Sequence, residues 1–193
     1  MNKDQLLYFV TGNEHKFSEV SELFQQKKIN YDLIQLDINP IEIQADTLSE
    51  VASFKLKSIQ NQVNGSFFVE DAGFFVDTPL NGFPGVYSSY VFKTIGNEGI
   101  LRLIKDFGTS KAHFVSYFAL YYTPSKKMFL FEGRVDGKVS SSIKGTQGFG
   151  YDPIFIPDEN PAKTFAELSK KEKNEISHRG KALDKLIKFL KTH

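Results

Sequence analysis

The chain of 193 residues contains no cysteine. That absence excludes disulfides, Cys-ligated zinc, iron–sulfur clusters and thiol nucleophiles together, and it agrees with a reducing compartment. A surplus of one charge is missing as well: 24 Lys+Arg stand against 23 Asp+Glu, a formal net charge of +1. Binding nucleic acid through bulk electrostatics takes a larger basic excess, so no nucleic-acid partner is expected. Long apolar runs are lacking too. The first, Leu6 to Val10, is too short for a signal-peptide core, and nothing approaches the ~20 apolar residues that span a bilayer. A soluble cytoplasmic protein with no membrane association is expected. Repeats, low-complexity tracts and Pro/Ser-rich linkers are also absent, so residues 1–193 read as one domain. The 40% hydrophobic content supplies a sufficient core.

What is present alternates between strand and helix patterns. Leu6–Val10 reads as a buried strand delivering the turn Thr11-Gly12-Asn13. Phe17, Val20, Leu23 and Phe24 recur at helical spacing and predict a helix from about Glu14 to Gln26. Tyr31–Leu36 is a second strand candidate, and Thr47-x-x-Glu50 is a capping box opening a helix with Leu48, Val51, Ala52, Ile59 and Val63 on its stripe. Ser66–Val69 predicts a strand that ends on Glu70-Asp71-Ala72-Gly73, and Pro79–Tyr87 a shaped loop. Asn97 is expected to cap a helix carrying Ile100, Leu101, Leu103, Ile104 and Phe107. Ala112–Thr123 and Met128–Val135 read as a long hairpin, and Ile154–Ile156 as a strand after a glycine-rich loop from Gly145 to Asp152. Thr164-x-x-Glu167 is a further capping box, and Ser177 caps a last helix. The class is α/β with a mixed sheet.

Four segments can carry chemistry. Thr11-Gly12-Asn13-Glu14-His15-Lys16 is a strand–turn–helix junction whose free N–H groups, Gly12 backbone and Lys16 charge suit a phosphate; the bland alternative is an ordinary capped turn with a surface lysine. Glu42, Glu70 and Asp71 form an acidic set able to hold Mg²⁺ and polarise a water, or else merely to solvate a turn. Gly148-Phe149-Gly150-Tyr151-Asp152-Pro153 offers either a shelf for a flat base or a tight turn with core aromatics. In Lys173-Asn174-Glu175-Ile176-Ser177-His178-Arg179-Gly180, an Arg beside a His in a first helical turn runs against the helix dipole. Arg179 is one of only three arginines, with Arg102 and Arg134. Lys173, His178 and Arg179 supply donors for carbonyl oxygens or phosphate.

Thr11-Gly12-Asn13-x-x-Lys16, Glu70-Asp71-Ala72-Gly73-Phe74, Gly82-Phe83-Pro84-Gly85-Val86-Tyr87-Ser88, Phe149-Gly150-Tyr151-Asp152-Pro153 and Ser177-His178-Arg179-Gly180-Lys181-Ala182-Leu183 stand in one order. With these motifs the chain resembles the inosine/xanthosine triphosphate pyrophosphatase family, and its wording around Gly82–Tyr90 is similar to archaeal members. The resemblance implies an elongated mixed β-sheet with flanking helices, two lobes around a central nucleotide-binding cleft, and a homodimer. It implies Mg²⁺-dependent hydrolysis of inosine, deoxyinosine and xanthosine triphosphates to the monophosphate and pyrophosphate. In that reading Thr11, Gly12, Asn13 and Lys16 hold the phosphates with help from Lys55. Glu42 and Asp71 ligate the metal, Asp71 activates the water, and Ala72 adds its backbone N–H. Phe149 and Tyr151 sandwich the base, Gly150 and Asp152 complete that loop, and Lys173, His178 and Arg179 read the carbonyl edge. Position 72 is Ala where the family usually has a hydroxyl residue, and Tyr151 stands in place of Trp. Two other readings remain: a septum-inhibitor type of pyrophosphatase acting on modified pyrimidine nucleotides, and a non-catalytic nucleotide sensor. The Ser177-His178-Arg179 segment argues against the first and the three acids against the second.

Overall fold

The computed structural model of the chain describes residues 6–108 and 110–193. In chain order these form β1 (Leu6–Val10), α1 (Glu14–Gln26), β2 (Asp32–Leu36), α2 (Leu48–Ile59), β3 (Ser66–Val76), β4 (Phe83–Gly85), α3 (Ser88–Thr94), α4 (Gly96–Ile104), β5 (Lys111–Tyr122), β6 (Lys127–Val139), β7 (Phe155–Pro157), α5 (Lys170–Ile176) and α6 (His178–Thr192). One sheet runs β2-β1-β3-β5-β6-β7, with β4 paired to β3. It is mixed: β1 lies parallel to β2 and β3, whereas β3–β4 and β6–β7 are antiparallel. The chain falls into two compact units, one built from the chain up to Asp71 with Ser116–Gly133 and Gly180–His193, the other from Ala72–Val115 and Arg134–Arg179.

The first unit is a three-layer sandwich whose sidedness follows from strand alternation. Leu7, Phe9, Phe68, Phe118 and Leu120 bury one face against Val20, Leu23 and Phe24 of α1 and Leu183, Leu186 and Ile187 of α6. The intervening residues Val10, Phe67, Val69 and Ala119 bury the other face against Ala52, Leu56 and Ile59 of α2. Phe9 stacks on Phe68 at 4.6 Å, and Phe118 meets Phe68 edge-on. Both expected helix starts hold here: Asn13 caps α1, and Thr47 and Glu50 form the reciprocal box of α2. The second unit gathers Phe74, Ile100, Phe114, Val135, Phe155 and Phe165 into one core.

Four expectations change. The strand expected to stop at Val69 runs on to Val76, so Glu70 and Asp71 are mid-strand and not on a turn. Gly73 is a place of close approach: a Cβ there would lie 2.6 Å from the Gly85 carbonyl oxygen of β4. Asn97 does not cap α4, which opens at Gly96; its side-chain amide reaches Gly150 instead. The shaped loop contains a strand, β4, and leads directly into α3 after Tyr87. The Thr164 box is real but opens only a single 3₁₀ turn, and a second box, Ser169 with Glu172, starts α5.

Gly73→Ala is expected to destabilise the protein by about 1–3 kcal/mol, because the clash is with backbone that cannot rotate away. A denaturant melt in which the midpoint does not fall would contradict the close approach.

Candidate active site

The first unit assembles two functional groups on a strand–helix frame. β1 delivers Thr11 to the end of the sheet, where its N–H donates to the Leu36 carbonyl at 3.0 Å and its carbonyl accepts from Gln35 Nε2 at 3.0 Å. Thr11 Oγ1 accepts the Asn13 N–H, and Asn13 Oδ1 accepts the Lys16 N–H, both at 3.1 Å. The turn is thus held through the oxygens of both side chains. Gly12 packs its α-carbon against the Asp37 carboxylate.

The second group consists of alternating acids and lysines. Lys16 of α1 pairs with Glu70 Oε2 at 2.8 Å, and Glu70 Oε1 accepts the hydroxyl proton of the buried Ser116 at 2.8 Å. Lys55 of α2 bridges two acids, at 2.6 Å from Glu42 Oε1 and 3.1 Å from Asp71 Oδ1. Adjacent strand residues point to opposite faces, so Glu70 meets the helix on one side and Asp71 the helix on the other. The acidic set anticipated from sequence therefore divides: Glu42 and Asp71 converge, and Glu70 belongs to the Lys16 side. Burial pushes the Asp71 carboxyl above the usual carboxylate range, against the pull of Lys55 and Lys16. Burial also opposes the Lys55 ammonium, yet Asp71 and Glu42 outweigh it and raise its pKa above that of ordinary lysine.

Among the described residues no three His, Cys, Asp or Glu side chains converge in a group able to hold a metal. Two carboxylate oxygens meeting at one cation are, however, the donor set of Mg²⁺ held jointly by protein and substrate phosphates. Glu42 and Asp71 fit that ion. Ala72 follows in β3 and contributes no side-chain polar atom.

In the second unit the loop before β7 is organised by Asp152. Its Oδ2 accepts the Phe149 N–H at 2.8 Å and pairs with Lys173 Nζ at 2.6 Å, with both charged side chains only 4% exposed. Gly148, at φ +71°, leaves no room for a side chain because the Asp152 carboxylate fills that space. Asn97 Nδ2 holds the Gly150 carbonyl at 3.0 Å. Lys173 Nζ lies 4.9 Å and Arg179 Cζ 5.3 Å from the Phe149 ring centroid, two cations on one aromatic. His178 stacks on Phe114 at 4.6 Å and 7°.

Tyr151 corrects the expectation of a two-ring sandwich. Its ring stacks on Phe74 at 4.8 Å, its hydroxyl donates to the Ser88 carbonyl at 2.9 Å, and it is buried in the core. Phe149 alone stays half-buried. Desolvation drives the Tyr151 phenol far above its ordinary pKa, as befits a structural anchor. Sequence reasoning passed over Ser116 and Gln35 and gave Asn97 a different part. Ser116 left a signal, a small polar side chain inside the aromatic-rich run Phe114-Val115-Ser116-Tyr117-Phe118.

A mixed-sheet α/β protein with lysine-bridged carboxylates on one unit and an aromatic, cation-flanked loop on the other has the parts of a nucleotide-handling enzyme. The chain belongs to the Ham1 family, whose pattern it matches over residues 7–189. It is 47% identical over 185 residues to a protein of Thermococcus kodakarensis named dITP/XTP pyrophosphatase, covering 96% of this chain and 97% of that one. A protein of the same name from Pyrococcus horikoshii is 43% identical over 187 residues, with 97% of each covered. Among solved structures, the HAM1 protein of Coxiella burnetii superposes with a TM-score of 0.83 at 28% identity, covering 97% of this chain and 99% of that one. The Ham1 protein of Staphylococcus aureus gives 0.78 at 29% identity, covering 97% and 98%.

Lys173→Met leaves Asp152 buried without its cation and is expected to cost about 3–5 kcal/mol. Adding Asp152→Asn should recover much of that loss. Equal and additive losses in denaturant melts of the two single variants and the double variant would show the pair is not coupled.

Proposed function

We propose that the protein hydrolyses deaminated purine nucleoside triphosphates, those of inosine, deoxyinosine and xanthosine, between the α and β phosphorus atoms to yield the monophosphate and pyrophosphate. The observation that carries this reading is the bridging of Glu42 and Asp71 by Lys55 in a chain of the Ham1 family. In this reading the Thr11–Lys16 junction and Lys55 take the triphosphate. The Thr11 hydroxyl and the Asn13 amide face it with donors that the turn itself does not consume. Lys16 and Lys55 exchange their carboxylate partners for phosphate oxygens.

Asp71 accepts the proton of the attacking water. Mg²⁺, held by Glu42 and Asp71, would neutralise charge developing on the phosphate oxygens.

Phe149 stacks on the base, and Tyr151 keeps the loop seated. Lys173, His178 and Arg179 present donors to the 6-oxo edge. Adenine carries a 6-amino donor there, which leaves protein donors unpaired, and such mismatches discriminate strongly. The family resemblance also supports a homodimer, and the cysteine-free composition agrees with a cytoplasmic site of action.

Pyrophosphate release measured with Mg²⁺ should be far greater from inosine and xanthosine triphosphates than from adenosine triphosphate. Binding without release from any of them would favour a sensor. Asp71→Asn is expected to lower kcat by about 10²–10⁴-fold with substrate binding partly kept, and wild-type turnover in it would remove Asp71 as the base. Arg179→Ala should narrow the preference for inosine over adenosine triphosphate by about tenfold or more, and an unchanged ratio would take Arg179 out of base reading.

A further inference from the structure

The two carboxylates assigned to the metal already hold a cation. Lys55 is buried, 7% exposed, and places Nζ 2.6 Å from Glu42 Oε1 and 3.1 Å from Asp71 Oδ1. A metal ion using those same two oxygens needs the space that the ammonium occupies, and at that range a lysine and a divalent ion repel each other strongly. For a metal that uses those oxygens, the two are alternative occupants of one position.

The neighbourhood says when the exchange happens. Glu42 is the solvent-facing side of the bridge, with its side chain 67% exposed, whereas Asp71 stands on β3 at 15%. The other lysine of the group, Lys16, is engaged by Glu70. With Lys16 already holding Glu70, a Lys55 displaced by a metal loses both of its carboxylates and needs another anion. A triphosphate supplies the missing anion.

We infer that Lys55 holds the metal's place in the free protein and releases Glu42 and Asp71 only when phosphate arrives to receive it, so that metal and nucleotide bind as a coupled pair. The inference rests on the assignment of Glu42 and Asp71 made above and concerns Lys55 alone. By linkage, nucleotide must tighten metal binding by the same factor by which metal tightens nucleotide binding.

The test is binding of Mn²⁺, a carboxylate-preferring probe for Mg²⁺, followed by calorimetry or electron paramagnetic resonance with and without a non-hydrolysable inosine triphosphate analogue. Lys55→Met removes the charge at similar length, and Lys55→Arg keeps it. For the metal alone, Lys55→Met is expected to bind at least about tenfold more tightly than wild type, with Lys55→Arg no tighter than wild type. The gain in metal affinity on adding the analogue should be large in wild type and shrink in Lys55→Met. Metal-alone affinity that is unchanged or weaker in Lys55→Met, in protein with a wild-type far-ultraviolet spectrum, overturns the inference. Parallel release of pyrophosphate from inosine triphosphate by the wild type separates the two readings. Its absence defeats the proposed function, whereas the metal titration without nucleotide reports on Lys55 in either case.

Discussion

Two consecutive acids on one continuous strand set the arrangement of everything around them. Glu70 and Asp71 follow Phe67, Phe68 and Val69 in β3, and alternation sends Glu70 to the α1 face and Asp71 to the α2 face. Each face is largely apolar, and each acid meets a cation from the helix that covers it. α1 supplies Lys16 and α2 supplies Lys55. A one-residue slip of β3 would exchange the two acids between helices and turn the phenylalanines of both cores inside out. Hydrophobic register and site chemistry are thus the same constraint, enforced by the stacking of Phe68 on Phe9.

Much of this was legible from sequence where local rules govern. The Asn13 cap and the Thr47 box involve residues three apart, and the helices they open begin where the pattern puts them. What failed was tertiary. Gly73 reads as a turn, but its missing side chain makes room for the Gly85 carbonyl, a neighbour twelve residues away in sequence. Asn97 reads as a cap because its type favours caps, yet a loop carbonyl at Gly150 claims its amide. Tyr151 reads as a free ring because its neighbours are glycines. The Phe74 ring that buries it lies on β3, far away in sequence. Motif order could identify the residues of the candidate site, but only the strand's two-sidedness could separate Glu70 from Asp71.

The second unit solves a different problem with the same materials. Its loop has three glycines with positive φ, at 145, 148 and 150, and little backbone preference of its own. The Asp152 carboxylate replaces that preference by accepting the Phe149 N–H while Lys173 neutralises it. Lys173 and Arg179 then stand against the Phe149 ring. One ion pair therefore fixes both the curvature of the loop and the placement of its aromatic.

Exposure distinguishes the two kinds of lysine–carboxylate contact. In Lys173–Asp152 both side chains are 4% exposed, so parting them strands a charge away from water, a cost of several kcal/mol in such surroundings. In Lys55–Glu42 one partner is 67% exposed and can be rehydrated when it leaves. The first contact is therefore structural, and the second is exchangeable. In the proposed reading, Lys55 can leave Glu42 for phosphate without stranding a buried charge. The fully buried Glu70 makes the Lys16 contact costlier to part, and the most buried pair stays with the loop proposed to meet the base.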